Sequence, residues 1–232
     1  MNLLKYVLMA LVIYISPNDP QPTASKTTYH FKKGEIFDVT FILERESVDN
    51  DSLFKAYRKT LFPIATKYSF KPVKGYGIQE TLQGGYQPNY MALGKWKSLQ
   101  QRRDFIEDIP KLVPEFHHMR RGLWSSFDLT YYEMEEDLSF TIDKARYTVV
   151  TAYWMKGKRG DKFIRQWKKH CDEQEGEVIV ELKNGEAPSG YYYNPDYFFI
   201  TEWTSKVKYE RFIKQLEKLD ASSITNINEF RI

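Results

Sequence analysis

A single cysteine in 232 residues, Cys171, leaves no partner for an intramolecular disulfide, so packing alone must hold the chain together. Catalytic signatures are also missing. Gly75-Tyr76-Gly77 is followed by Glu80 where a dinucleotide-binding turn needs its third glycine, and no P-loop, H-E-x-x-H or G-x-S-x-G segment occurs. Charge of one sign is scarce too. Thirty-four basic residues face 31 acidic ones, a net +3 scattered along the chain, which excludes the basic stripe of a nucleic-acid-binding protein. The local cluster Lys156, Lys158, Arg159 and Lys162 reads as a solvated helix entrance. No apolar run reaches the ~20 residues that span a bilayer.

The longest such run, Tyr6 to Ile15, follows Lys5 and ends at Ser16-Pro17-Asn18. Its length suits the central region of a secretory signal, so residues 1–25 read as a signal peptide or an uncleaved N-terminal anchor. The expected location is periplasmic or extracellular, with the membrane touched only through that segment. Residues 26–34 continue a stretch rich in Pro, Thr, Ser and Lys and read as a linker.

What the sequence has in excess is aromatic: 17 Tyr, 15 Phe and 5 Trp. It also repeats itself. Pro88, Tyr90, Trp96, Ser98, Phe105, Ile106, Lys111 and Leu112 recur 107 residues later as Pro195, Tyr197, Trp203, Ser205, Phe212, Ile213, Lys218 and Leu219, eight identities in 25 ungapped positions. This is a duplication, and each copy has the same order of elements. Phe37, Val39, Phe41 and Leu43 alternate with Asp38, Thr40, Ile42 and Glu44 as a strand. A helix capped by Asp51 or Ser52 follows, which Pro63 must kink or end. Extended segments near Phe70–Thr81 and Tyr90–Trp96, a helix capped by Ser98, and a strand through Phe127, Leu129 and Tyr131 complete β-α-β-β-α-β. The second half repeats the order from Tyr147 to Ile232, with Ser205 or Thr204 as the later cap. The predicted fold is α+β: two tandem ferredoxin-like units, residues 35–137 and 144–232, joined through the charged connector Glu135-Glu136-Asp137. Each sheet has helices on one face only, so the two bare faces should cover each other, with Ala152 and Trp154 in the interface.

With that order in hand, Phe62-Pro63-Ile64-Ala65-Thr66-Lys67-Tyr68, Gly84-x-x-x-Pro88 and Trp96-x-Ser98 resemble a small uncharacterised family of the dimeric α/β-barrel superfamily. Trp96-Lys97-Ser98-Leu99 is similar to NIPSNAP proteins. The resemblance covers about residues 35–232 and implies an intramolecular version of the barrel. It carries an alternative function, a cofactor-independent monooxygenase or isomerase in which a histidine or tyrosine polarises an enolisable substrate. No catalytic residue of those families transfers position by position. Haem-binding relatives use a helix histidine, which makes His170, beside Cys171, a candidate; a half-buried histidine with a backbone partner is the plainer reading. No metal site and no cofactor are predicted, haem being the alternative.

The repeated Pro, Trp, Ser and Phe have structural work as strand starts, helix caps and corner packing. Tyr90 and Tyr197, at strand entrances, retain promise as cavity residues, as does Tyr131. The halves differ most after Leu112, where the first inserts Val113 to Arg121, including His117, His118, Arg120 and Arg121. Adjacent helical histidines point about 100° apart and make a poor chelate. One could act as acid, base or haem ligand and an arginine could meet a carboxylate, or the insertion is simply a solvated amphipathic helix. Tyr191-Tyr192-Tyr193 reads as an aromatic wall or as core. Cys171 reads as a structural thiol. The leading expectation is an exported protein that binds a small, partly apolar or aromatic molecule between a sheet and its helices, with Tyr90, Arg120, Tyr131 and Tyr197 as ligand-binding residues. An association protein without a ligand is the third reading, and a homodimer is compatible with all of them.

Overall fold

The first unit is built around β2 (Ile36–Glu44), whose two faces look onto two different cores. A computed structural model describes residues 25–46, 49–156, 159–188 and 190–232; the leader therefore lies outside the described residues, as do Lys158 and the side chain of Arg159 from the basic cluster. Phe37, Val39 and Phe41 face the second unit, whereas Ile36 and Ile42 face the helices. The polar alternate residues are nonetheless buried: Asp38 is 6% and Thr40 7% exposed. The period-two pattern locates the strand correctly but marks a covered face, not a wet one.

In chain order the described elements are β1 (Lys26–Phe31), β2, α1 (Asn50–Lys67), β3 (Lys71–Gly77), β4 (Glu80–Gln83), β5 (Tyr90–Trp96), α2 (Leu99–Leu112), α3 (Phe116–Leu123) and β6 (Trp124–Glu133). They continue as β7 (Leu138–Asp143), β8 (Tyr147–Met155), α4 (Arg159–Glu173), β9 (Gly176–Lys183), β10 (Tyr197–Trp203), α5 (Lys206–Leu216) and β11 (Ile224–Arg231). The first sheet has the order β3-β5-β2-β6 and the second β9-β10-β8-β11, the same ferredoxin-like arrangement twice, with antiparallel pairing throughout. Registers agree as well. Ile36 pairs with Trp96 and Asp38 with Gly94, just as Tyr147 pairs with Trp203 and Val149 with Thr201.

The sheets pack face to face within the chain, forming an intramolecular dimeric α/β barrel. Phe41 meets Phe230 at 5.0 Å between ring centroids and Tyr193 at 5.1 Å, and Tyr132 meets Phe198 at 5.9 Å. Ala152 is buried in this layer and Trp154 packs against it. The units also exchange backbone. β4 of the first unit pairs with β11 of the second, and Glu186, after β9, bridges Tyr131 of β6 through reciprocal bonds of 2.8 and 3.0 Å. Each unit thus extends the other's sheet, giving edge groups partners they would otherwise lack.

Three local expectations need correction. Residues 26–34 are not a linker: Lys26–Phe31 is β1, paired with β7 from Lys26↔Asp143 to Phe31↔Leu138, and Tyr29 and Phe31 insert into the layer between the sheets. The strand is driven by those alternate aromatics, which a composition rich in Thr and Lys disguises. The cap of α1 is Asp49, which accepts from the Ser52 amide at 3.3 Å, rather than Asp51 or Ser52. Of the kink or end expected at Pro63, the end does not occur: the helix runs on to Lys67. Pro63 and Lys59, the residue whose carbonyl it leaves without the usual helical donor, both lie on the exposed side of the helix. The later caps are as expected: Ser98 and Ser205 accept from Gln101 and Lys208 at 3.3 and 3.4 Å.

Candidate functional site

Because the units share one register, their helix-facing cores can be compared position by position. In the second unit the core is filled. Trp167 of α4 stacks on Phe199 of β10, 4.5 Å apart and 24° from parallel, and both are fully buried. The buried positions Tyr57, Leu61 and Ala65 of α1 follow the same four-residue spacing as Phe163, Trp167 and Cys171 of α4, so Leu61 stands where Trp167 does. Ala92 stands where Phe199 does, 107 residues earlier. The stacked pair of the second unit is therefore replaced by Leu and Ala. Ile42 likewise replaces Tyr153, and Gly94 replaces Thr201.

A cavity of about 310 Å³ occupies the space so released, between the helix-facing side of the first sheet and α1, α2 and α3. Its walls include Asp38, Tyr57, Leu61, Ala92, Phe105 and Arg120. The helix frame differs too. α4 packs on β9, whereas α1 packs chiefly on α3, the inserted helix. Phe116 and Leu123 anchor α3, each 2% exposed. The cavity reaches the edge strand β3 at Pro72, Val73, Lys74 and Gly75, opposite Phe54, Arg58 and Phe62 of α1.

The floor is polar for a traceable reason. Trp203 of the second unit donates its indole N–H to Thr201 at 3.1 Å. Gly94 removes that hydroxyl from the first unit, where a Cβ would stand 2.5 Å from the Phe70 ring. Trp96 donates instead to Asp38 Oδ2 at 2.7 Å, and Arg102 Nε donates to Asp38 Oδ1 at 2.7 Å. Arg102 is 2% exposed, its guanidinium lies 3.8 Å from the Tyr131 ring centroid, and its Nη2 has no hydrogen-bond partner. Burial pushes the Asp38 carboxyl up from its ordinary range against the opposing pull of Arg102 and Trp96.

Arg120 forms part of the wall from the α3 side. Its guanidinium lies 4.2 Å from the ring centroids of both Phe116 and Phe127, and it donates to Tyr57 Oη at 3.3 Å and Tyr191 Oη at 3.0 Å. No carboxylate among the described residues forms an ion pair with it. Tyr90 also lines the cavity, and burial, then the nearby Glu44, pushes its phenol up to about 12.

The other candidates fall elsewhere. Tyr131 lies beneath Arg102 and donates to Glu186 at 2.5 Å; it belongs to the layer supporting the floor, not to the lining. Tyr197 stacks on Phe199 in the filled unit and donates to Asp161 at 2.7 Å. His117 and His118 are exposed on α3. The His117 imidazole packs edge-on against Phe116 at 5.0 Å, and burial and then Arg120 and Arg121 pull its pKa down. His170 pairs through Nδ1 with Glu173 at 2.8 Å on the surface of α4. None of the three faces the cavity, so the placement required of a histidine acid or base is not met. Tyr191 to Tyr193 divide between roles: Tyr191 bonds Arg120, Tyr192 is exposed and Tyr193 joins the sheet-to-sheet layer. A haem needs an axial ligand such as His, Cys, Met or Tyr. The lining has no His, Cys or Met, Tyr57 already accepts from Arg120, and Tyr90 holds its proton, so these residues do not fit one.

Asp38, Tyr57, Leu61, Ala92 and the ion-paired role of Arg102 escaped the sequence reading. Two of these carried a usable signal. Ala92 against Phe199 and Arg102 against Tyr209 are disagreements inside the ungapped repeat itself.

No family model matches the chain, and no curated protein matches it in sequence. Among solved structures, a Rhodopseudomonas palustris protein of unknown function is similar at 14% identity and TM-score 0.37, over 44% of this chain and 83% of its own. An anthrone oxidase-like protein is similar at 11% identity and TM-score 0.47, over 88% and 94%. A mutant chlorite dismutase from Candidatus Nitrospira defluvii is similar at 7% identity and TM-score 0.48, over 87% and 92%. Likeness at this level concerns architecture alone.

Proposed function

We propose that this protein binds a small, largely apolar molecule in the cavity of its first unit, the second unit serving as its filled structural partner. The observation that carries the reading is the replacement of Trp167 and Phe199 by Leu61 and Ala92 at matched positions, leaving about 310 Å³ under α1. That volume lies at the small end of ligand pockets, whose walls are mostly apolar with a few placed polar groups. Asp38, Tyr57 and Arg120 fill the latter role. The apolar run Tyr6 to Ile15 supports an exported protein.

Indole, a neutral probe of suitable size, tests the reading by thermal shift. It should raise the melting temperature of the wild type and leave Ala92→Phe, which occupies the cavity, unmoved. Equal shifts in both proteins, or none in the wild type, would remove the cavity as the site.

A further inference from the structure

We infer that the molecule bound in this cavity is an organic anion, an apolar body carrying one carboxylate that Arg120 receives. The inference rests on the ligand-binding reading and narrows it to a chemical class.

Charge balance supplies the first argument. Asp38, Glu44, Arg58, Lys74 and Arg120 are the formally charged residues of the lining. Asp38 is neutralised by Arg102 at 2.7 Å. Glu44 forms no ion pair among the described residues and is the one carboxylate of the lining left to set against the cations; burial, with Asp51 nearby, pushes its carboxyl up. Arg58, Lys74 and Arg120 are three cations that form no ion pair among the described residues, Arg120 acting on the already paired Asp38 only through its field. Lys74 donates to Thr27 Oγ1, a neutral group, and has the further positive charge of Lys144 beside it. Arg58 lies over the Phe54 and Phe62 rings at 5.9 and 5.2 Å. Three formal positive charges against one unpaired carboxylate leave the lining net positive, the balance that concentrates anions at a low-dielectric cleft.

The second argument is the state of Arg120. A guanidinium held between two aromatic faces and oriented by two phenols has lost most of its rotational freedom before a ligand arrives. Its Nε and Nη1 make the bonds to Tyr57 and Tyr191, and Nη2 makes no hydrogen bond among the described residues. Arginine elsewhere in this fold is treated differently: Arg102, which is fully buried where Arg120 is partly exposed, has Asp38 as its counter-ion. Arg120 is thus a fixed cation with a free donor beside an apolar cavity, a geometry that fits a carboxylate better than any neutral polar group.

Isothermal titration with two matched pairs, 2-naphthoate with 2-naphthamide and hexanoate with hexanamide, reads the inference directly. In the wild type at least one acid should bind ten- to a hundredfold more tightly than its amide, the difference set by charge-assisted hydrogen bonding. Arg120→Met should abolish that preference while leaving amide affinity within about twofold. Should it fail to fold by circular dichroism, Arg120→Lys serves: it keeps the charge, loses the planar fork, and should weaken the acid while sparing the amide. Amides that bind as tightly as acids, an acid preference that survives in Arg120→Met, or an acid affinity unchanged in Arg120→Lys would overturn the anion assignment. Amide binding that Ala92→Phe blocks would then leave the cavity reading standing. Failure of both acids to bind the wild type would also overturn it, with the indole result deciding the cavity reading separately.

Discussion

Substituting Ala92 by Phe should make the protein more stable, and this sign is the sharpest test of the comparison between units. In a filled core, enlarging a residue costs about 1–3 kcal/mol through forced rotamers and backbone shifts. At position 92 the added ring enters existing space, bordered by Leu61 where the second unit has Trp167. Full burial of a Phe side chain is worth about 1.5–3 kcal/mol, and fixing its rotamer returns on the order of 1 kcal/mol. The net gain is therefore about 0.5–2 kcal/mol. For a chain of this size each kcal/mol moves the melting temperature by about 2–4 °C, so the expected rise is about 1–8 °C. The mirror substitution, Phe199→Ala, removes a ring with no exposed surface and should cost about 3–5 kcal/mol, lowering the midpoint by about 6–20 °C. Differential scanning calorimetry and urea melts of the two variants measure both. A destabilised Ala92→Phe would mean that the first core is already full and the matched-position argument is wrong.

Arg102→Met should destabilise by about 3–5 kcal/mol in urea melts at neutral pH, because it strands Asp38, while the double change Asp38→Val, Arg102→Tyr, copying Val149 and Tyr209, should recover only part of the loss, because it leaves the Trp96 indole without its acceptor. Glu229 is 2% exposed, accepts from Tyr209 at 2.6 Å and Thr151 at 2.8 Å, and has its pKa raised by burial. The folded chain thus holds this proton more tightly than the unfolded one, so the contribution is complete below the unfolded value of about 4.3 and is lost as pH rises through the folded value. Glu229→Gln should flatten that fall in a series of urea melts taken upward from pH 4.5. Phe31→Ala should cost about 3–5 kcal/mol by the same assay, as expected of a core strand and not of a linker, for which the change would be near zero.

The repeat made the scaffold legible because the residues it preserves are those the fold demands. Trp96 with Phe105, and Trp203 with Phe212, form the same strand-to-helix corner at 5.0 and 4.8 Å. Period-two patterning located β2 and β8, and the serine caps fixed the starts of α2 and α5. The Val113–Arg121 insertion was also legible as a departure, and it supplies Arg120 and props α1 against α3. The floor was hidden, since alternation cannot distinguish a strand face turned to water from one covered by helices: it sets Asp38 and Thr40 on one face without showing that the face is buried. A cavity is also a sum of small residues on separate elements. Leu61, Ala92 and Gly94 are each unremarkable alone and acquire meaning only beside Trp167, Phe199 and Thr201.

The departures of the first unit form one connected chain. Loss of the Thr201 hydroxyl at Gly94 leaves the Trp96 indole in need of an acceptor, which Asp38 supplies. A buried carboxylate needs a counter-ion, and Arg102 takes the place of Tyr209. Arg102 lies over Tyr131, whose hydroxyl bonds Glu186, contributed by the second unit. Each link costs stability relative to the filled copy, since desolvating an ion pair is seldom repaid and a cavity forfeits dispersion contacts. A chain that already contains the better-packed version of the same core has no need of these changes for folding. Their convergence on a single cavity, with Arg120 left uncompensated in its wall, is the pattern expected where local packing rules yield to a binding site.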